Sequence, residues 1–118
     1  MPGADSAVPR QPPLDRFAHG LAVVRSAGPA PTRRDVEAGF HAEGLTPRTW
    51  SHDAAFSYGR HVHSQHKVLS CVSGAIVFHT DAGDVALGPG DRMELPPGIE
   101  HGATVGHDGV ECVEAYRS

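Results

Sequence analysis

The amino-acid sequence predicts an all-β domain of the sandwich or barrel type, preceded by one short helix. From Pro47 onward, short runs of β-branched and apolar residues are separated by Gly, Pro and Asp at intervals of about 8 to 12 residues. This spacing is typical of β-sandwiches and β-barrels. The chain has 118 residues, which is enough for one compact domain and too few for a second independent core.

The predicted strands are apolar or alternating segments bounded by turn-forming residues. They are residues 48–52, 56–63, 67–72, 75–80, 84–87, 92–95, 102–105 and 109–115. Ser73-Gly74 and Asp81-Ala82-Gly83 contain the small residues that tight turns require, so both are predicted as hairpin connections.

The N-terminal part of the chain has a different composition. Residues 1–31 are predicted as a flexible Pro/Ala-rich tail, with a possible added strand at the apolar run 21–24, and residues 32–118 as the barrel domain with its leading helix. Thr32 can cap a helix in which Val36 and Phe40 form an apolar stripe, and Gly44 closes it.

Composition excludes several classes of partner. The chain carries 10 basic and 14 acidic residues, a net charge of −4, and the acidic residues are scattered, so neither nucleic acid nor a membrane surface is an expected partner. The N-terminus lacks the apolar segment of a secretory signal, which favours a cytoplasmic location. Cys71 and Cys112 both lie in apolar strand-like sequence and are predicted to be free core thiols.

The histidines at positions 61 and 63 are the first candidate site. Residues two apart on a strand project from the same face, so His61 and His63 can direct two imidazoles to one point. Neutral imidazole is a good ligand for Zn, Ni, Cu or Fe. Since the chain has nine histidines, the pair taken alone is equally consistent with a surface or pH-responsive pair.

Two sequence blocks resemble the motifs of the cupin superfamily. In the first motif, G-x5-H-x-H-x3,4-E-x6-G, the two histidines match His61 and His63 and the closing glycine matches Gly74. The second motif, G-x5-P-x-G-x2-H-x3-N, is matched by its two glycines, its proline and its histidine. These residues are Gly90, Pro96, Gly98 and His101.

The resemblance covers residues 48–115 and implies a double-stranded β-helix barrel, a jelly-roll-like fold. It implies one divalent metal ion on His61, His63 and His101 in the barrel mouth, with Zn, Ni, Fe, Cu and Mn all possible. Three imidazoles with further positions free are typical of a catalytic rather than a closed structural site. The alternative for His101 is a polar residue that merely follows the 96–98 turn.

Two departures from the cupin pattern matter for the site. Lys67 stands where the family has a metal-binding glutamate, and a charged ammonium group has no lone pair to donate. His66 could serve as a fourth ligand, but strand alternation directs Lys67 inward and His66 outward unless a bulge precedes them. Lys67 is itself either a catalytic acid–base group, an anchor for a substrate carboxylate, or a side chain that extends to the rim. Val105 replaces the final asparagine of the second motif.

Three functional hypotheses follow. The first is a metal-dependent enzyme acting on a small molecule, such as a dioxygenase or an isomerase. The second is a non-catalytic sensor or binding module for a small molecule or for the metal itself, and the third is a barrel without metal. The resemblance also implies a homodimer, in which the run 21–24 could take part. Of the aromatic residues, Trp50 and Tyr58 could both line the barrel and contact a ligand.

Overall fold

An antiparallel sheet of eight strands forms a jelly-roll-like β fold in the computed structural model, which describes residues 14–117. The all-β prediction is therefore confirmed. The elements are β1 Leu14–Arg16, a 3₁₀ turn at Ala18–Gly20, β2 Ala22–Val24, α1 Arg33–Ala42, β3 Arg48–His52, β4 Ser57–His61, β5 His66–Thr80, β6 Gly83–Leu87, β7 Arg92–Leu95 and β8 His101–Arg117. The strand order is β1-β2-β7-β5-β8-β3, with β4 also paired to β8 and β6 to β5.

The two long strands β5 and β8 pair with each other and form the centre of the sheet. Each contains two of the predicted strands, so the predicted hairpin at Ser73-Gly74 is wrong. The chain bends there through register shifts and continues in the same strand. Gly74 has a φ of +76°, and a Cβ atom on it would lie 2.0 Å from the carbonyl oxygen of Gly109, so the two strands bend where their backbones touch.

Helix α1 begins and ends as its sequence predicts. The hydroxyl of Thr32 accepts a hydrogen bond from the backbone N–H of Asp35 at 3.1 Å, and Gly44 follows the helix with a φ of +78°. Phe40 is buried against the outer face of β5 and β8, where it packs in a cluster with Val68. Among the described residues, no helix is long and apolar enough to cross a membrane.

The main core lies inside the barrel, opposite the surface covered by α1. Strand β5 is buried on both faces, because Leu69 and Cys71 belong to the inner cluster while Val68 and Val72 pack under the helix. Cys71 lies directly opposite Cys112 on β8, and both are buried free thiols, as predicted.

The apolar run 21–24 contributes β2 to the sheet. Strand β2 pairs with β1 on one side and with β7 on the other, and Leu21 and Val23 belong to the inner core. Residues 1–13 of the predicted tail lie outside the described residues, so the boundary at residue 31 stays a prediction.

Candidate metal centre

Three histidines converge where β4 ends and β8 begins. His61 is the last residue of β4 and lies directly opposite His101, the first residue of β8, while His63 follows in the loop before β5. The ring centroids are 4.4 Å apart for His61 and His101, 4.8 Å for His61 and His63, and 5.2 Å for His63 and His101. One ring nitrogen from each residue lies within 4.8 Å of the other two.

A backbone hydrogen bond links the two loops next to His63 and His101. The turn at 96–98 reverses the chain as predicted, and the backbone N–H of Gly98 donates to the carbonyl oxygen of His63 at 3.0 Å. This bond joins the loop that carries His63 to the loop that leads into His101. Gly98 has a φ of +83°, which a residue with a side chain would adopt only with strain.

The ring tautomers suit metal binding. Nδ1 of His101 lies 2.9 Å from the carbonyl oxygen of Ile99, and Nδ1 of His61 lies 3.1 Å from that of Gly59. A carbonyl oxygen only accepts hydrogen bonds, so each Nδ1 carries the proton and each Nε2 keeps its lone pair. Metal-binding histidines commonly use their second nitrogen in this way.

Two of the ring nitrogens have no partner despite being buried. Nε2 of His63 and Nε2 of His101 make no hydrogen bond with the described residues. A buried polar atom without a partner costs about 1–3 kcal/mol, and a cation between the rings would remove that cost. The three residues therefore fit a metal ion.

The protonation states of His63 and His101 also suit metal binding. The pKa of His101 is lowered to about 4, mainly by burial; the hydrogen bond to Ile99 opposes this shift, and the neighbouring His61 and Lys67 contribute to it. Burial, followed by the charges of Lys67 and His61, lowers the pKa of His63 as well. At neutral pH both rings are uncharged, which is the form that binds metals.

His66 lies outside this cluster. Its Nε2 is 2.7 Å from Oε1 of Glu94, on the outer side of the sheet that alternation predicts. Glu94 also forms ion pairs with Arg92 at 3.1 Å and with Arg117 at 3.2 Å. The structure thus joins His66 to a surface ion-pair network and leaves the other three histidines together.

Lys67 is directed inward and forms an ion pair. Its Nζ lies 3.3 Å from Oε1 of Glu114, and Nε1 of Trp50 donates a hydrogen bond to the same oxygen at 2.8 Å. Lys67 and Glu114 are each only 8% exposed. Sequence reasoning missed Glu114, although it continues the inward alternation of Val110 and Cys112 and could have been found as a charge on an apolar strand face.

A row of aromatic rings runs from Trp50 to the histidine cluster. Ring centroids are 5.1 Å apart for Trp50 and His52, 4.2 Å for His52 and Phe56, which stack, 5.9 Å for Phe56 and Tyr58, and 5.7 Å for Tyr58 and His61. His52 is a half-buried member of this row. Burial raises the pKa of Tyr58 to about 12, so its phenol stays protonated.

These groups line an open cavity of about 520 Å³. Its lining comprises Arg48, Trp50, His52, Phe56, Tyr58, His61, His63, Lys67, Glu114 and Tyr116. A cavity of this size, with apolar walls and a few converging polar groups, is typical of a small-molecule site.

A model of the AraC-like ligand-binding domain family matches residues 48–113, more than half of the chain. The chain belongs to this family. The matched range contains all three histidines and Lys67, and it ends one residue before Glu114. No curated protein matches the chain.

Solved structures similar to this small cupin support its fold. An RmlC-like cupin from Shewanella frigidimarina is 18% identical with a TM-score of 0.55, covering 93% of this chain and 86% of its own. A structure of the DMSP lyases RdDddP and RnDddQII is 24% identical with a TM-score of 0.59, covering 86% of this chain and 49% of its own. A conserved protein of unknown function from Streptococcus pyogenes is 21% identical with a TM-score of 0.54, covering 61% and 62%. The chain thus spans less than two thirds of the last two proteins.

Proposed function

We propose that this cupin binds one divalent transition metal through His61, His63 and His101 and a small molecule in the adjoining cavity. The observation that carries the proposal is the pair of buried, unpartnered Nε2 atoms on His63 and His101, which lie beside a third imidazole. Three neutral imidazoles suit Zn, Ni, Cu and Fe, and Mn less well. A bound ion would act as a Lewis acid on an oxygen of the ligand.

The protein's own residues have distinct tasks in this proposal. Ile99 and Gly59 fix the tautomers of His101 and His61 through their carbonyl oxygens, so that each ring offers Nε2. The family description, ligand binding, is in accord with a cavity that receives a small molecule. The function that the site supports best is therefore a metal-dependent ligand-binding domain.

Turnover is the second candidate function, as a metal-dependent dioxygenase or isomerase. The observation that favours it is the Lys67–Glu114 ion pair, because an ammonium and a carboxylate group on the cavity wall can donate and accept protons. Oxygen uptake, or conversion of diketones, catechols and thiols by the iron or copper form, would distinguish turnover from binding alone.

Metal binding is tested on protein purified without a histidine tag. We expect close to one transition metal per chain by elemental analysis. For free metal at a hundredfold excess over its Kd, we expect a stabilisation of about 2.7 kcal/mol, seen as a rise in thermal midpoint. The double variant His61→Ala, His101→Ala should lose this rise.

His66→Ala is the matched control, since it removes a nearby imidazole that contacts Glu94 instead of the cluster. Its metal-induced rise should equal that of the unaltered protein, whatever its starting midpoint. A metal-free protein whose midpoint does not respond to Zn, Ni or Fe would contradict the proposal.

We also propose that two copies pair through β1. Strand β2 uses both of its edges within the chain, whereas β1 pairs only with β2 among the described residues, and Leu14 on β1 is 44% exposed. Sedimentation should give a dimer, and Leu14→Lys should shift it toward monomer. Equal masses for both proteins would refute this arrangement. A cytoplasmic location, and the absence of nucleic-acid and membrane partners, stay predictions.

A further inference from the structure

We propose that the Lys67–Glu114 pair makes the cavity selective for an uncharged, flat ligand that presents a hydrogen-bond donor and an acceptor on neighbouring atoms, as an aromatic carboxamide does. The inference rests on the proposed function, in that the cavity is taken as the ligand site. It adds the chemical class of the ligand and the residues that select it.

The opposite charges of Lys67 and Glu114 favour a neutral ligand. Lys67 and Glu114 are each 8% exposed and lie 3.3 Å apart, so both charges depend on each other for compensation. The carboxylate of Glu114 would repel an anionic ligand placed against the pair, and the ammonium of Lys67 would repel a cationic ligand. A neutral ligand meets neither repulsion. The other cationic side chain of the cavity lining, Arg48, is exposed, so solvent screens its charge.

Unused hydrogen-bonding capacity is the second step. Both contacts made to the Glu114 carboxylate by the described residues, from Lys67 and from Trp50, fall on Oε1. Oε2 is left to accept a further hydrogen bond. Lys67 has three N–H donors and one anionic partner at 3.3 Å, so it can still donate. Since both residues line the cavity, a ligand with an adjacent N–H and carbonyl can bridge them.

The aromatic wall is the third step. Trp50, His52, Phe56 and Tyr58 form a continuous row, and Phe56 is 42% exposed, an unusual exposure for a large apolar ring. A flat ring can stack on this wall. Trp50 belongs to the wall and also donates to Glu114, so the stacking surface and the polar pair adjoin each other.

The test uses probes of the same shape and different charge. Benzamide, benzoate and benzamidine share one ring and a planar three-atom head, and acetophenone replaces the amide nitrogen of benzamide by a methyl group. Binding is followed by the fluorescence of Trp50, the only tryptophan of the chain, which lies on the cavity wall. The unaltered metal-free protein should bind benzamide more tightly than each of the other three.

Single variants should change the preference in opposite directions. Glu114→Gln leaves the ammonium of Lys67 uncompensated, so the ratio of benzoate to benzamide affinity should rise by about tenfold or more. Lys67→Met leaves the carboxylate uncompensated, so the ratio of benzamidine to benzamide affinity should rise similarly. Both changes should persist in zinc-loaded protein. The ion adds the same contribution to the affinity ratio in the variant and in the unaltered protein, so it cancels when the two ratios are compared.

A double variant covers the case in which a single variant fails to fold. Replacing both residues by Met removes the two charges and keeps the volume, a change that proteins often tolerate at buried ion pairs. In it, the preference of benzamide over acetophenone should disappear, because the carboxylate that accepts from the amide N–H is gone, while the N–H of Trp50 can donate to the carbonyl oxygen of either probe.

The inference is overturned if the unaltered protein binds benzoate or acetophenone as tightly as benzamide, if no probe changes the fluorescence, or if the variants leave the ratios unchanged. The zinc-induced rise in thermal midpoint is measured on the same samples. A rise without probe selectivity refutes this inference alone, whereas selectivity without a rise refutes the metal site alone.

Discussion

Acidification of the metal-free protein is expected to destabilise the fold through His101. Its ring is 1% exposed, and burial lowers its pKa from 6.5 to about 4. The unfolded chain therefore takes up a proton at higher pH than the folded chain does. Stability is fully present above pH 6.5, falls as the pH falls below that value, and stops falling near pH 4.

The magnitude follows from the size of the shift. One pKa unit corresponds to about 1.36 kcal/mol, so the shift to about 4 limits the loss to about 3 kcal/mol. About 2 kcal/mol of this should already be lost at pH 5. The pKa of His63 is also lowered, so protonation of this residue in the unfolded chain likewise reduces the stability of the fold below pH 6.5.

The assay is urea unfolding at pH 7, 6 and 5 in the presence of a chelator. His101→Gln removes the titrating ring, so its stability should depend less on pH than that of the unaltered protein. His107→Gln is the control, because the side chain of His107 is 94% exposed. The carboxylates with lowered pKa, Glu43, Glu94 and Asp91, contribute stability that is lost only below about pH 4.5, and they are common to all three proteins.

Parallel plots of unfolding free energy against pH for the unaltered protein and His101→Gln would contradict this prediction. If the unaltered protein and His101→Gln lose the same free energy between pH 7 and pH 5, the buried ring of His101 is not the group that titrates. A pH dependence removed by His107→Gln would lead to the same conclusion.

Three further predictions concern the fold that carries the site. Gly74→Ala should lower the free energy of unfolding by at least about 2 kcal/mol, because its Cβ would lie 2.0 Å from the Gly109 carbonyl oxygen. The control is Gly28→Ala, whose Cβ would have no atom within 4 Å and which should leave the free energy of unfolding nearly unchanged. Asp91→Ala should cost about 2–3 kcal/mol in urea unfolding, since its carboxylate accepts two backbone N–H bonds at 2.8 and 2.9 Å; a cost below 0.5 kcal/mol would contradict this. Phe78→Ala should cost about 3–5 kcal/mol by the same measurement, because the ring is 1% exposed within the barrel core, and equal midpoints would disprove it.

Local sequence signals identified the helix and the turn before His101. Thr32 and Gly44 cap α1 through contacts with residues a few positions away, so short-range chemistry suffices to predict them. The turn at Gly98 is equally local, and it delivers His101 to the position that the spacing predicts. Strand alternation likewise placed Lys67 inside and His66 outside.

Local sequence signals could not predict contacts between distant parts of the chain. Ser73-Gly74 has the composition of a hairpin, yet β5 continues through it because Gly109 packs against the bend from the neighbouring strand. Glu114 is 47 positions from Lys67 in the chain, and only the pairing of β5 with β8 brings their charged atoms to 3.3 Å.

For the candidate metal site, too, some features could be predicted from local sequence and others could not. Short segments of the chain suffice to predict an all-β cupin and its three candidate histidine ligands, because alternation, turns and motif spacing are local properties. The folded chain was needed to show that His61, His63 and His101 meet and that His66 does not join them. It was also needed to show that a carboxylate on β8 accompanies Lys67. The physical reason is that distance across a sheet depends on strand register, which the whole core sets and no single segment encodes.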